Sequence, residues 1–358
     1  NGTLDIYLKD MDTGAIELVS SDADGMAVGS DSMPFMSDDA RYVAFGLPDD
    51  RVAVKDRQTG ALTVVANPDG FTRNSVSAIS RDGRTLAIGA STLNVSLRAV
   101  YVVDLDTLEM TRVGRNLADD AWVSLSIADL SADGRYLVFT STSGELVEDD
   151  LNGVEDVFRF DIETGEVAIV SVAQDGTFGD GGSSAWGRVI TADGRYVTIW
   201  SDATNWPGAG DNDRPSEVVD DLWLKDMETG ALTLVSTNAE GQQADDDSVL
   251  SVISADGRYL AFGSYAENLA PATDPYDPCD LNLCPSGFSY VKDLVTGRVV
   301  NVTVGMEDAL ADDWDQIEPS ISADGRYILF YSWATNLVPA DGDGSWDYFR
   351  VENPLWEP

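Results

Sequence analysis

The sequence contains no histidine, and this absence excludes several kinds of functional site. A Ser-His-Asp triad, a Cys-His nucleophile and an imidazole metal site all require that side chain. No Gly-x-Ser-x-Gly turn is present either, so nothing in the sequence indicates an activated serine. We therefore expect no serine or cysteine hydrolase chemistry. Among 63 acidic residues, two neighbouring carboxylates are not evidence of an acid-base pair, so we expect a protein that is not an enzyme.

Cysteine is nearly absent, with only Cys279 and Cys284 in the segment "DPCDLNLCPSG". Four intervening residues do not match the usual paired-thiolate zinc spacing, and no second pair completes four ligands. We predict instead a small disulfide that closes the loop. Such a bond implies an oxidising compartment, so the predicted location is extracellular, at the cell surface or periplasmic.

Basic residues are scarce, because 22 Lys and Arg face 63 Asp and Glu and leave a net charge of −41. The acidic residues are spread along the whole chain. Such a field repels nucleic acid and anionic membrane surfaces, so we predict that neither is a partner. Three explanations of the acidity remain open: a saline habitat, bound divalent cations, or drift in a secreted protein.

Long apolar runs are also missing, and no signal peptide or stretch of about 18 apolar residues is present. We therefore predict no direct insertion into a membrane. The chain starts in the middle of a repeated pattern at "NGTLDIYLKD", which leads us to expect that a leader or upstream segment has been removed. A further hypothesis is that the chain is one domain of a larger envelope protein.

The main positive feature is a phrase that occurs six times along the chain. Its arginine recurs at spacings of 43, 51, 60, 63 and 68 residues, so the unit is constant while its loops lengthen. A second phrase of the form "DLWLKDMETGALTLV" alternates with it. The first phrase reads "SADGRYLVFTS" from Ser131, "TADGRYVTIWS" from Thr191, "SADGRYLAFGS" from Ser254, "SADGRYILFYS" from Ser322, "SDDARYVAFGL" from Ser37 and "SRDGRTLAIGA" from Ser80.

Each phrase predicts a β-hairpin. In the first phrase Asp133 accepts backbone hydrogen bonds in the turn and Gly134 supplies a positive φ, after which apolar and polar residues alternate. In the second phrase Asp10 begins the turn and Gly14 ends it. No window of 11 or more residues keeps a helical apolar period. Two hairpins together make a four-stranded antiparallel unit.

Repeated four-stranded units predict an all-β fold, a six-bladed β-propeller of four-stranded antiparallel blades that forms a single domain over residues 1–358. A solenoid is the alternative, but no distinct capping repeat is visible. We expect the N-terminal segment to complete the blade that begins at Pro319, so that pairing of the N- and C-terminal strands closes the ends. One strand is then surplus: either Asp347–Glu352 or Asp5–Lys9 is an extra edge, or the propeller has seven blades if upstream residues are missing.

The amino-acid sequence of the repeats also resembles that of a known family. "SADGRYLVFTS", "NLVPADGDGSWDYFRV" and "KDMETGALTLVS" are similar to the repeats of bacterial TolB-like β-propellers, often described as WD-repeat-like. The resemblance extends over nearly the whole chain and implies the propeller fold. It does not imply one function, because such repeats occur in periplasmic scaffold proteins, in adhesive surface proteins and in parts of enzymes.

The loops between the two hairpins become acidic just before the third strand. Alternating oxygen ligands around a glycine turn suit Ca²⁺, although Asx-type turns in a solvated loop explain the same residues. The candidate Ca²⁺ ligands are Asp150, Asn152 and Asp156; Asp211, Asp213 and Glu217; and Asp341, Asp343 and Asp347. We expect a structural role in the second turn for Asp10, Asp56, Asp104, Asp161, Asp226 and Asp293.

Tryptophan is frequent, with nine copies, and several lie near loops. An indole beside carboxylates is a common platform for sugars, whereas a propeller also uses tryptophan as packing between blades. The candidate ligand contacts are Trp186, Trp206, Trp314 and Trp333.

These patterns predict a secreted or cell-surface, non-catalytic binding or scaffolding propeller. We expect loops at one face to bind a protein or a glycan, with Ca²⁺ as a stabilising cofactor. The alternative is a carbohydrate-active enzyme, a glycoside hydrolase or lyase that uses Asp, Glu and Trp in the axial funnel. The segments 202–217 and 270–287 depart most from the repeat, so we expect contacts with the ligand there.

Overall fold

The computed structural model describes residues 2–92, 98–114, 125–210, 219–270, 287–305, 311, 318–339 and 345–357. Within these residues the chain forms 25 β-strands and no helix, and hence no helix long and apolar enough to cross a membrane. Successive antiparallel sheets follow the two alternating phrases. The chain is an all-β, six-bladed β-propeller, as the repeats predict.

The structure contains two compact units. The first comprises Asn1–Gly153 and Phe158–Ile169, and the second comprises Val154–Val157 and Val170–Pro358. In the first unit a two-stranded sheet precedes three blades with four strands each. The strands are β1 Tyr7–Lys9 and β2 Ile16–Leu18; β3 Phe35–Met36, β4 Tyr42–Gly46, β5 Val52–Asp56 and β6 Leu62–Val65; β7 Arg73–Ile79, β8 Thr85–Ser91, β9 Arg98–Asp104 and β10 Met110–Val113; and β11 Ser126–Leu130, β12 Tyr136–Ser141, β13 Asp156–Asp161 and β14 Val167–Ile169, of which the first residues of β13 fall in the second unit.

The second unit contains blades four, five and six. Blades four and five have four strands each, and blade six has three strands among the described residues. The strands are β15 Ser183–Ser184, β16 Tyr196–Ser201, β17 Asp221–Asp226 and β18 Leu232–Leu234; β19 Ser248–Ile253, β20 Tyr259–Ser264, β21 Phe288–Asp293 and β22 Val299–Asn301; and β23 Ser320–Ile321, β24 Tyr327–Ser332 and β25 Asp347–Glu352.

The strand pairings among the described residues do not join the two ends of the chain. β1 pairs with β2, and β25 pairs along its full length with β24. Asp347–Glu352 is therefore the edge strand of blade six. Closure of the propeller by pairing of the terminal strands stays a prediction.

Every blade has two different edges, which blade four illustrates. Tyr196 pairs with Asp226 and Ser201 pairs with Asp221. The two hairpin turns that follow Thr191 and Asp226 therefore lie at the same end of the strands, which we call the turn edge. The long connection between β16 and β17 lies at the opposite edge, which we call the loop edge.

Fixed hydrogen bonds build the turn edge, as the sequence predicts. In the first turn the Ser131 hydroxyl donates to Asp133 at 2.7 Å, the Arg135 N–H donates to the same carboxylate at 3.0 Å, and Gly134 has a φ of 72°. In the second turn a carboxylate accepts backbone N–H groups two and three residues ahead. This structural role is confirmed for Asp10, Asp56, Asp104, Asp161, Asp226 and Asp293.

The arginine of the first phrase links the two turns of a blade. Arg195 binds Asp226 with two hydrogen bonds, of 3.0 and 2.7 Å, and this guanidinium holds the pKa of Asp226 well below its usual range. Equivalent ion pairs join Arg41 to Asp56, Arg135 to Asp161, Arg258 to Asp293 and Arg326 to Glu352. Sequence reasoning located this arginine without identifying its partner.

Apolar residues on both faces of a blade form the core, which explains why the strands are nearly continuous apolar runs. In blade five, Leu260 and Phe262 pack with Leu222 of blade four. Tyr259 on the opposite face packs with Ile328 of blade six. Both faces of blade five are therefore covered by its neighbours.

Three of the four lysines are buried and link a third strand to the segment that leaves the preceding sheet. The ammonium group of Lys292 in β21 donates to the carbonyls of Val235 and Thr237 at 3.0 and 2.6 Å. Lys225 and Lys55 make equivalent bonds to carbonyls that follow β14 and β2. We call these contacts lysine clamps.

Candidate functional site at the loop edge

The loop edge is the part of the second unit in which equivalent positions differ most in chemistry. Ser201 pairs with Asp221, Ser264 with Phe288, and Ser332 with Asp347. Each pair joins the last residue of a second strand to the first residue of a third strand. The residues just beyond these two strand ends therefore occupy equivalent positions in the three blades. These flanking residues are Asp202 and Asp220 in blade four, Tyr265 and Gly287 in blade five, and Trp333 and Trp346 in blade six.

Blade four contributes Asp202, Asp220 and Asp221, and Asp247 directly precedes the first strand of blade five. We call these four carboxylates the carboxylate cluster. The backbone N–H of Asp220 donates to the Asp247 carboxylate at 2.9 Å. Burial, followed by the negative charges of Asp247, Asp202 and Asp221, raises the pKa of Asp220 to about 6. The cluster therefore favours a bound positive charge or a proton.

Rigid elements hold the members of the cluster. Asp247 precedes β19, and its carbonyl accepts the Ser264 hydroxyl and the Tyr265 N–H, both at 2.9 Å. Asp221 begins β17, and its carboxylate accepts the Ser236 hydroxyl at 2.7 Å and the side-chain amide of Gln243. The cluster is therefore positioned by strand ends and not by free loop segments.

The bond between Asp221 and Ser236 is one copy of a repeated arrangement that we call the Asp-Ser clasp. The carboxylate of the residue that begins the third-strand phrase accepts a hydrogen bond from the hydroxyl of the serine that follows the fourth strand. The oxygen of that hydroxyl accepts a hydrogen bond from the backbone N–H of the residue after the carboxylate. The clasp joins Asp5 to Ser20, Asp156 to Ser171 and Asp221 to Ser236. The short-range sequence pattern did not reveal it, although the repeated "VS" after the fourth strand was the available signal.

Three of the described candidates for Ca²⁺ binding, Asp150, Asn152 and Asp156, have protein partners. The fourth, Asp347, is exposed. Asp156 is fully buried and accepts the Ser171 hydroxyl at 2.6 Å. Asp150 is also buried, and burial raises its pKa although the Asn152 N–H donates to it. In the described part of the chain no group of three or more acidic or cysteine side chains is arranged to hold a metal ion.

Other predicted residues lie outside the described ranges, and Ca²⁺ binding therefore stays a prediction. The same holds for the predicted disulfide and for one of the predicted ligand contacts. These residues are Asp211, Asp213, Glu217, Asp341, Asp343, Cys279, Cys284 and Trp314.

The described tryptophans that the sequence offered as ligand contacts differ in exposure. Trp206 is only 2% exposed and packs edge-on against Trp223 at 5.1 Å. Its indole N–H donates to the Thr177 carbonyl at 3.3 Å. Contrary to the prediction, its ring face is therefore unavailable to a ligand. Trp186, between β15 and β16, is 68% exposed.

Trp333 belongs to an aromatic group in blade six. It lies 4.1 Å from Trp346, measured between ring centroids, and Tyr331 lies 5.1 Å from Trp346 and 5.4 Å from Tyr348. Tyr348 is 72% exposed. The sequence prediction named only Trp333 of this group, because the other three rings come together only when β24 pairs with β25.

Comparisons with known proteins give matches in structure only. No protein-family model matches the sequence, and no curated protein matches it. An oligogalacturonate lyase in complex with manganese is similar at 15% identity and a TM-score of 0.59, with 98% of this chain and 82% of that chain covered. The β-propeller domain of the Trilobed protease from Pyrococcus furiosus, described as having an open velcro topology, is similar at 14% identity and a TM-score of 0.52, with 91% and 83% covered.

A putative TolB from Agrobacterium tumefaciens is similar at 14% identity and a TM-score of 0.49, with 98% of both chains covered. At these identities a likeness concerns the fold alone. The chain has the β-propeller fold of these proteins, which is the fold of the TolB-like proteins that its repeated phrases resemble.

Proposed function

We propose that this protein is a non-catalytic binding module, and that the carboxylate cluster at its loop edge binds a basic segment of a partner protein. The observation that carries the proposal is the grouping of Asp220 with Asp247, Asp202 and Asp221, in which burial first and then the charges of these carboxylates raise the pKa of Asp220. Partly buried like charges destabilise one another. A lysine or arginine from a partner removes that repulsion, so binding gains more here than at an isolated surface carboxylate.

The charge of the whole chain supports the same partner. A net charge of −41 attracts cationic proteins over long range and speeds their association. The cluster adds a defined position to this general attraction. A module of this kind works outside the cytoplasm, in the periplasm or at the cell surface, where a disulfide between Cys279 and Cys284 is stable.

The proposal is tested by fluorescence anisotropy with a labelled octa-lysine peptide as the probe. We expect the triple variant D202N/D220N/D247N to bind the probe about tenfold more weakly than the unmodified protein at about 0.15 M salt. The matched control is D12N/D24N/D69N, which removes three charges from exposed residues. We expect the control to weaken binding by less than about twofold.

Equal losses in the two triple variants would mean that the overall charge, and not the carboxylate cluster, attracts the probe. That result would contradict the proposed site. A loss confined to the cluster variant supports it.

A carbohydrate-active enzyme is the second candidate. A carboxyl group with a pKa near 6 beside ionised carboxylates is the arrangement that glycosidases use for a general acid, and an oligogalacturonate lyase shares the fold. Incubation with a panel of polysaccharides should then yield shortened or unsaturated products, and Asp220→Asn should abolish them. Binding without turnover would favour the binding module.

A further inference from the structure

Blade six differs from the other blades at its outer edge. In the five complete blades the third strand pairs with a fourth strand of three or four residues, such as β18 Leu232–Leu234 beside β17. Among the described residues β25 pairs only with β24. Within the described part of the chain, the backbone groups on the other edge of β25 therefore have no strand partner.

The exposure of β25 agrees with the absence of a neighbour. Five of the six residues of β17 are buried, whereas none of the six residues of β25 is buried. Tyr348 is 72% exposed, and the equivalent Leu222 is fully buried. An exposed edge beside aromatic and aliphatic side chains is a surface to which another strand can add.

The residues that follow β25 do not fill this edge. Asn353 donates to the Gly325 carbonyl at 2.8 Å, and the Trp356 indole donates to the Asp324 carbonyl at 3.1 Å. The Leu355 carbonyl accepts the Tyr259 hydroxyl at 3.1 Å. These bonds anchor residues 353–357 on blades five and six, away from the path that a fourth strand takes.

Asp347 indicates which sequence the edge accepts. It occupies the position of Asp221 and Asp156, which hold a serine hydroxyl in the Asp-Ser clasp. No described residue donates a hydrogen bond to the Asp347 carboxylate, and the residue is exposed. Where the clasp is complete, the strand and its serine read "AIELVS", "EVAIVS" or "ALTLVS".

We propose that β25 binds an extended segment of a partner protein by antiparallel strand addition, and that this segment alternates aliphatic residues and ends in Val-Ser. Its backbone pairs with the outer edge of β25, and its serine hydroxyl donates to Asp347. The backbone pairing repeats that of the five complete blades, and the serine bond repeats the Asp-Ser clasp of blades three and four. The inference does not depend on the carboxylate cluster.

Charge decides between a partner and a second copy of the chain. A net charge of −41 opposes self-association, and β25 itself carries Asp347 and Glu352 at its ends. Glu352 is already paired with Arg326, so basic residues on both sides of the added segment complement the negative charge of the chain as a whole. The occupant is therefore a strand-forming segment with basic flanks.

The register identifies the backbone groups that an added strand uses. In β17, Leu222 and Asp226 exchange bonds with the strand or turn that follows them. Tyr348, Arg350 and Glu352 occupy the equivalent alternate positions of β25, so their backbone groups point to its outer edge. Proline at position 350 therefore removes an outward N–H while the pairing of β25 with β24 retains its bonds.

The experiment uses a fluorescent peptide with the sequence ALTLVS, which is that of residues 231–236, flanked by lysines. The protein carries D202N/D220N/D247N in every measurement, so that the carboxylate cluster does not bind the lysines. We expect saturable binding, and about tenfold weaker binding of the peptide ALTLVA, which lacks the hydroxyl for Asp347. Arg350→Pro should abolish binding. Arg350→Ala is the matched control, because it removes the same side chain and keeps the N–H.

Several results would overturn the proposal: no saturable binding, equal binding by the proline and alanine variants, or a dimer of the unmodified protein in sedimentation that the peptide does not dissociate. If Arg350→Pro does not fold, Asp347→Ala decides, because it must erase the difference between the two peptides. Because every peptide is measured on protein that already carries D202N/D220N/D247N, failure of the proposed function is distinguishable from failure of this inference.

Discussion

Asp220 is the residue of the carboxylate cluster whose charge changes within the physiological pH range. Burial and three neighbouring carboxylates raise its pKa to about 6 in the folded protein, whereas the ordinary value for Asp is about 3.9. The folded state thus holds a proton more tightly than the unfolded state. Its contribution to stability is complete below about pH 4 and is lost as the pH rises through 6.

This sign predicts the effect of Asp220→Asn. At pH 7.5 we expect the variant to be more stable by about 1 to 2 kcal/mol, a value reduced for partial exposure, because the amide carries no charge in the cluster. At pH 4.5 the difference should fall to about a third, because Asp220 is then protonated in the folded state but still mostly ionised in the unfolded state. Denaturant unfolding at both pH values measures it. A variant that is equally stabilised at both values would show that packing, and not charge, is responsible.

Single residues were predictable where the cause is local. The turn roles of Asp133 and Gly134 follow from four or five neighbouring residues, and both are confirmed. The pKa of Asp220 and the burial of Trp206 depend on segments distant in sequence. No local pattern contains that information.

At the scale of elements, the lysine clamps connect strands to the segments that leave neighbouring sheets. Lys292 is buried, and its ammonium group binds two carbonyl groups after β18. Removal of the lysine takes away its bonds to these two carbonyls, and the Val235 carbonyl then keeps the bond from the Thr237 N–H at 2.8 Å. The loss of charge-assisted bonds in a buried position is destabilising. The clamp therefore stabilises the packing of blade five against blade four.

We expect Lys292→Met to reduce the free energy of unfolding by about 1 to 3 kcal/mol. Lys9→Met is the matched control, since Lys9 has the equivalent place in β1 and is exposed. Its effect should stay within about 0.5 kcal/mol. Chemical denaturation of the two variants provides the comparison, and equal losses would rule out the clamp as a stabilising contact.

The hairpins were the most predictable elements, because each phrase contains its own turn signal, although the strands are buried on both faces and not alternately as the sequence predicted. The all-β fold and the order of strands within a blade follow from these phrases and are confirmed. The lysine clamps and Asp-Ser clasps were not predicted. They join residues of different hairpins or different blades, and only the packed structure brings their atoms together.

At the scale of the whole molecule, the net charge of −41 makes stability depend on salt. Self-repulsion among carboxylates weakens the compact state, and counter-ions screen it. We expect the melting temperature to rise continuously between about 0.1 and 1 M NaCl. A melting temperature independent of NaCl would contradict this effect.

The effect of Ca²⁺ on the melting temperature must be separated from this general effect of salt, so it is measured at matched ionic strength. If the acidic loops bind Ca²⁺, millimolar CaCl₂ should raise the melting temperature beyond the effect of MgCl₂, and a chelator should reverse the rise. Equal effects of the two salts would mean that Ca²⁺ acts only by screening, and the predicted ligand sets would be wrong.

The ion pairs at the turn edge have a consequence for how this protein changes length during evolution. Because Arg195 and Asp226, and their equivalents, tie the two hairpins of a blade at one end, an insertion at the opposite end leaves the tie intact. The spacing between successive copies of the arginine has grown from 43 to 68 residues along the chain, while the paired turns have stayed constant. A longer loop can therefore provide a new binding specificity while the blade that carries it keeps its fold.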